Sequence, residues 1–213
     1  MHEKAEIPFD RHVQQRAIKH VYDIAAPLYD SWASETGPTK YTLLRITKEL
    51  FEKYRVTNGN LLDVGVGTGP LKDVLGNSFD YTGIDLSNEA LKRAQQKGYK
   101  TTEGSLEEIV PAIQTGTYDH TIALSCLYYI HPEQIVEVLD NLYRISSKSL
   151  LVSLDAVGPI QEVVLQKTGA RLFDYSKREW PHLPQPSEDI LTQAWTSPSA
   201  RIRVDARILF WLK

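Results

Sequence analysis

In the stretch "NLLDVGVGTGPL", residues 60–71, an apolar run closes on Asp63 and is followed by three glycines at alternate positions, Gly65, Gly67 and Gly69. A backbone cleared of side chains just past a buried strand can lie against a large, flat ligand, and this is where a doubly wound sheet binds one. Asp85 closes the next apolar run, "DYTGID", 20 positions after Gly65. A carboxylate there can accept both hydroxyls of a ribose, so the pair points to a nucleoside. The spacing G-x-G-x-G, with Pro70 next, is not the G-x-G-x-x-G that turns a helix N-terminus toward a pyrophosphate. Further along, "SCLYYIHPEQ" gathers Ser125, Cys126, Tyr128, Tyr129 and His131. His131 reads either as a general base or as the residue ahead of a helix that starts at Pro132. Tyr128 and Tyr129 read either as core packing or as an aromatic wall that orients a cationic amine. Cys126 reads as a small buried residue.

The elements that must position these residues alternate between strand and helix patterns. Val13, Ala17, Val21 and Ile24 recur at helical spacing, and Leu43, Thr47, Leu50 and Tyr54 repeat it after the break "TGP", giving two N-terminal helices. From residue 60 the pattern is "NLLDVG" strand, "LKDVLG" helix, "DYTGID" strand and "NEALKRAQQKG" helix ending at Gly98. Then come "YKTTEG", the short helix "LEEIVPAI", the strand "YDHTIALS", a helix from Pro132 to about Ile145, and the strand "SLLVSLD". Short strands separated by helices predict a parallel, doubly wound α/β sheet with helices on both faces. Beyond Asp155, "GPIQEVVLQKTG" is compatible with a helix. "ARLFDYSKREWPHLPQPSEDI" reads as a long irregular excursion, in which Trp180 and His182 belong either to a lid or to a surface loop. "ARIRVDARILFWLK" alternates as an edge or near-edge strand. One more strand is either "RLFDYS" or "ILTQAW".

Composition sets the outer bounds. The chain has 213 residues, 42% of them hydrophobic, and 24 basic against 27 acidic side chains for a net charge of −3. That predicts one domain: a helical cap over 1–57, a ligand-binding core over 58–155, and a substrate-side excursion with the terminal strand over 156–213. The charge balance offers no field to gather nucleic acid. The single cysteine excludes an internal disulfide framework and a multi-cysteine zinc site. A charged start and the lack of any run of about 18 apolar residues predict neither a signal peptide nor a membrane span, so the expected location is cytoplasmic.

Taken in order, "LLDVGVGTGPL", "YTGIDLSNEALKRAQQKG", "TTEGSLEEI" and "YDHTIALSCLYYI" resemble the class I S-adenosylmethionine-dependent methyltransferases. "YDIAAPLYDSW" is similar to the entry segment of their small-molecule and quinone-type branch. The resemblance covers roughly residues 20–155. It implies a seven-stranded, mostly parallel sheet whose last strand is antiparallel, with S-adenosylmethionine as cofactor and S-adenosylhomocysteine as product. It further implies Asp63 near the methionyl amino group and Gly65, Gly67, Thr68 and Gly69 against the cofactor. Asp85 would lie on the ribose hydroxyls, Leu86 on the adenine, Ser125 beneath the methionine moiety, and Tyr22 and Tyr29 in the cap. Where many relatives place an aspartate that reads the adenine amino group, this chain has Ser105 with Leu106 beside it. No metal is implied. The expected acceptor is a small metabolite methylated at oxygen or nitrogen. The alternatives are an RNA or protein methyltransferase, disfavoured by the charge balance and by "SCLY" in place of an "NPPY"-type motif, and a non-catalytic nucleoside-binding relative. The oligomeric state is not implied.

Overall fold

A computed structural model of the chain describes residues 9–36, 38–157, 167–197 and 202–213, with the side chains of 28–41 and 193–204 left aside. The segment "GPIQEVVLQKTG" falls largely outside these residues. Two helices, α1 (Arg11–Thr36) and α2 (Pro38–Lys53), precede the core. The core then alternates β1 (Gly59–Val64), α3 (Pro70–Leu75), β2 (Phe79–Asp85), α4 (Asn88–Gln96), β3 (Lys100–Glu103), α5 (Leu106–Ile109), β4 (Tyr118–Ala123), α6 (Ile135–Ile145) and β5 (Ser146–Asp155). The chain closes with β6 (Glu188–Ser197) and β7 (Ile202–Leu212).

All seven strands form one sheet in the order β3-β2-β1-β4-β5-β7-β6. β1 is parallel to β2 and β4, and β4 to β5. Only β7 runs against its neighbours β5 and β6, so the terminal strand is near the edge rather than at it. The strand left open by the sequence is the one in "ILTQAW". Chain order reverses between β1 and β4, which puts the glycine loop and Ser125 at the switch point where such sheets bind ligands.

The strands are apolar on both faces because both are covered. One face packs Leu61, Ile122, Leu151, Ile208 and Phe210 against Leu43, Leu50 and Phe51 of α2 and Leu91 and Ala94 of α4. The other packs Leu62, Val64, Ala123, Leu150, Val152 and Leu209 against Ile135, Leu139 and Leu142 of α6, with Tyr175, Trp180 and Leu183 of the excursion. Trp180 is thus buried against the sheet, while the exposed His182 has its Nε2 3.3 Å from Asp140 Oδ1.

Two expectations need correction. The apolar set on α1 is not its buried face: Val13 and Ile24 are 45% and 63% exposed, whereas Gln14, Ile18 and Ala26 are buried. The helix roofs a cavity instead of a core, so its inner side carries polar as well as apolar groups. The last long helix starts at Ile135 rather than Pro132; His131 to Gln134 form a preceding turn, in which the amides of Gln134 and Ile135 donate to the His131 carbonyl.

Inside the first face, buried His120 bridges Ser149 Oγ (2.8 Å from Nδ1) and the Asn58 carbonyl (3.2 Å from Nε2). A carbonyl only accepts, so Nε2 donates; in the neutral ring that burial favours, Nδ1 then accepts from the serine hydroxyl. Burial holds its pKa below the ordinary histidine value. Protons therefore bind the unfolded chain first, and stability falls as the pH drops below about 6.5. Urea unfolding of His120→Gln should lose that part of the acid slope; an unchanged slope would show that the ring is not buried neutral.

Candidate active site

The glycine loop answers two demands, and one comes from the protein itself. Gly65, Gly67 and Gly69 all have positive φ, at 67°, 54° and 75°. A Cβ on Gly65 would sit 2.6 Å from Cys126 Cβ, and one on Gly69 would sit 2.8 Å from the ring of Tyr99. Those two positions are cleared at least partly for neighbouring side chains. Gly65, Gly67 and Thr68 line a cavity that opens at the carboxyl ends of β1, β2 and β4.

Asp85 ties the loop to the next strand. Its Oδ2 accepts from the Gly67 amide and its Oδ1 from the Ser87 amide, both at 2.9 Å. These two bonds fix the carboxylate plane at the cavity wall, beside Ile84 and Leu86. Asp63 stands behind the loop rather than in the wall: it is buried and accepts from Tyr99 Oη at 3.2 Å. Burial, and then the Asp63 charge, drive the Tyr99 phenol far above its ordinary pKa, so it stays a donor.

Ser105 and Leu106 line the cavity after β3. Ser125 lines it after β4 with φ 53°, a conformation uncommon outside glycine, held by its amide donating to Ser153 Oγ at 2.8 Å. Cys126 is also in the wall; its thiol donates to the Val64 carbonyl at 3.4 Å, and burial raises its pKa, which keeps it a thiol. Beside Ser153, Asp155 is buried, and its carboxyl is pushed up by that burial. Among the described residues no cluster of three or more metal-ligating side chains occurs.

The aromatic residues separate into two groups. Tyr22 of α1 and Tyr129 both line the cavity, with hydroxyls 3.1 Å apart and rings edge to face. Tyr128 packs behind Tyr129, at 4.5 Å between centroids, and does not line the cavity. His131 lies outside the wall as well. It is stacked on Phe9 at 4.3 Å with Phe173 edge-on at 5.4 Å, and its Nδ1 accepts from the Glu133 amide. Tyr29 is among the side chains outside the described residues.

The first half of the roof helix is fastened at two places, by residues that sequence patterning did not single out. Lys19 donates to the Leu86 carbonyl and to Glu103 Oε1, and Asp23 accepts from Ser87 Oγ at 2.7 Å. Buried Gln14 donates to the carbonyls of Tyr129 and Arg171, while its Oε1 accepts from the Arg171 amide at 2.7 Å. Their signal was the polar residues recurring every third or fourth position between the apolar ones of α1. Gln14→Ala strands buried backbone groups and should destabilise the fold by about 1–3 kcal/mol in urea titration; a loss below about 0.5 kcal/mol would mean the latch contributes little to stability.

Residues 61–148 match the family of the methyltransferase domain. No curated protein matches the chain. Among solved structures, the Burkholderia thailandensis 1,6-didemethyltoxoflavin-N1-methyltransferase, with that compound and S-adenosylhomocysteine bound, is similar at a TM-score of 0.65 and 14% identity, over 98% of this chain and 94% of its own. The N-methyltransferase NodS from Bradyrhizobium japonicum, with S-adenosylhomocysteine, is similar at 0.64 and 14%, over 92% and 98%. A possible histamine N-methyltransferase from Thermotoga maritima is similar at 0.58 and 17%, over 90% and 98%. No helix among the described residues is long and apolar enough to cross a membrane. The matched segment 61–148 is a methyltransferase domain, and the strand order, with the cavity at the switch point, gives the chain the fold of these solved methyltransferases.

Proposed function

We propose that the enzyme methylates a nitrogen or oxygen of a small molecule in the cavity beneath α1. The observation that carries this reading is the Tyr22–Tyr129 hydroxyl pair, which closes the cavity between the roof helix and the loop after β4. A covered site of this kind admits a metabolite more readily than a duplex or a folded protein surface. The small-molecule acceptor in the Burkholderia enzyme supports the same class.

The residues present fit the cofactor. Asp85 and the amide-rich loop at Gly67 suit a ribose and its neighbouring atoms, while Ile84, Leu86 and Leu106 supply apolar walls for a flat base. One cavity residue, Gln15, holds a buried amide nitrogen with no hydrogen-bond partner among the described residues. When bound, S-adenosylmethionine supplies an already electrophilic methyl group. What remains for the protein is to hold the acceptor in line and keep water out. We assign these tasks to Ser125 and Tyr129, with Tyr22 closing from the roof; the tyrosine faces suit a cationic or electron-poor acceptor. Tyr128 sets the ring of Tyr129. His131 is assigned the support of the excursion through Phe9 and Phe173, because its ring is outside the wall. Residues 1–57, 58–155 and 156–213 act as cap, cofactor core and acceptor-side cover of one domain.

Asp85→Ala should weaken S-adenosylhomocysteine by about 1–3 kcal/mol in calorimetry, since hydrogen bonds to a charged group are lost; unchanged affinity would remove it from the ribose site. Incubation with methyl-labelled cofactor and a metabolite extract should yield a labelled small molecule, whereas label confined to RNA or protein would overturn the acceptor class. With that acceptor, Tyr129→Phe should lower kcat by about 10- to 100-fold and leave cofactor affinity near wild type; His131→Ala should leave kcat of the folded enzyme within about threefold.

A further inference from the structure

On α1, Arg11, Gln15, Lys19 and Asp23 recur every fourth residue and share one face. Three of the four meet the core: Arg11 lies 3.7 Å from Glu108, Lys19 holds Leu86 and Glu103, and Asp23 holds Ser87. Gln15, between two of these contacts, lines the cavity instead, and its Nε2 is buried with no hydrogen-bond partner among the described residues. Ser105, 3% exposed, lines the same cavity with its hydroxyl beside the Glu107 carboxyl. Glu107 completes this part of the wall. Buried polar atoms are satisfied almost everywhere in folded proteins. The orphan amide of Gln15, facing a wall that carries Ser105 and Glu107, marks where the polar edge of a ligand belongs.

The position identifies that edge. Asp85 fixes the ribose end, Leu86 follows it in the chain, and Lys19, one turn beyond Gln15, is bonded to the Leu86 carbonyl. The base joined to that ribose therefore lies under the Gln15 turn of the roof. Adenine presents an amino donor beside ring-nitrogen acceptors, and a glutamine amide carries the complementary acceptor and donor in one plane. A carboxylate such as Glu107 accepts from the same amino group, and its burial makes an unpaired charge there unfavourable.

We propose that Gln15, together with Ser105 and Glu107, reads the adenine edge of the cofactor and selects a 6-aminopurine over a 6-oxopurine nucleoside. This rests on the cofactor reading above. It places base recognition on the roof helix, where the turn after β3 offers only a serine.

The test is calorimetry of the full chain with S-adenosylhomocysteine and with S-inosylhomocysteine, whose 6-oxo group and protonated ring nitrogen invert both hydrogen bonds. Wild type should prefer the adenine compound by about 10- to 100-fold. Gln15→Leu should weaken it about 10-fold and reduce the preference to within about threefold. Gln15→Glu, which keeps the shape and loses the donor, should move selectivity in the same direction and guards against misfolding of the leucine variant. Asp85→Ala, which acts on the sugar, should weaken both compounds alike. Retention of the wild-type preference in both Gln15 variants would overturn this proposal alone. A wild-type chain that binds neither compound would overturn the cofactor reading, and this proposal with it.

Discussion

The Asp85 carboxylate is the constraint on which the site depends. One oxygen is held by the Gly67 amide and the other by the Ser87 amide, so a single side chain locks the loop after β1 to the turn after β2. Around that lock each piece becomes necessary. Gly67 adopts φ 54° there, a left-handed conformation that glycine reaches without strain. Ser87 caps α4, its Oγ accepting from the Ala90 amide, and donates to Asp23 of the roof. The fixed carboxylate thus reaches, through one serine, to the helix that covers the cavity.

The roof has a second anchorage, and the two differ in kind. On the cofactor side it is made by charged, partly exposed groups, Lys19 and Asp23, which screening by water and salt weakens. On the acceptor side buried Gln14 makes three backbone hydrogen bonds to Tyr129 and Arg171. The acceptor-side attachment is therefore the more rigid. The Tyr22–Tyr129 pair links the two: Tyr22 lies between Lys19 and Asp23 in the chain, and the Tyr129 carbonyl accepts from Gln14.

The core of the fold was legible because parallel strands buried on both faces leave continuous apolar runs, at or just past whose carboxyl ends stand Asp63, Asp85, Ser125 and Asp155. The roof was not. An amphipathic reading assumes that the apolar face packs inward, and over a ligand cavity that assumption fails; Val13 and Ile24 face out, while Gln14 and Gln15 face in or line the site. "RLFDYS" has strand composition but spends its backbone elsewhere: the Arg171 amide and carbonyl pair with Gln14, and the Phe173 amide donates to the Tyr128 carbonyl. His131 and Tyr128 adjoin the wall in sequence yet sit behind it, because the short turn after Cys126 directs only Tyr129 and Ile130 into the cavity. Such distinctions depend on side-chain direction within a turn, which spacing does not encode.

The central claim is that one cavity at the switch point, roofed by α1 and fixed by Asp85, is where the cofactor binds. Amide hydrogen exchange with and without S-adenosylhomocysteine tests it most directly. Protection should rise together in residues 63–69, in 85–87 and along 11–26 of the roof. Protection confined to the two core segments, with the roof exchanging as before, would contradict the claim.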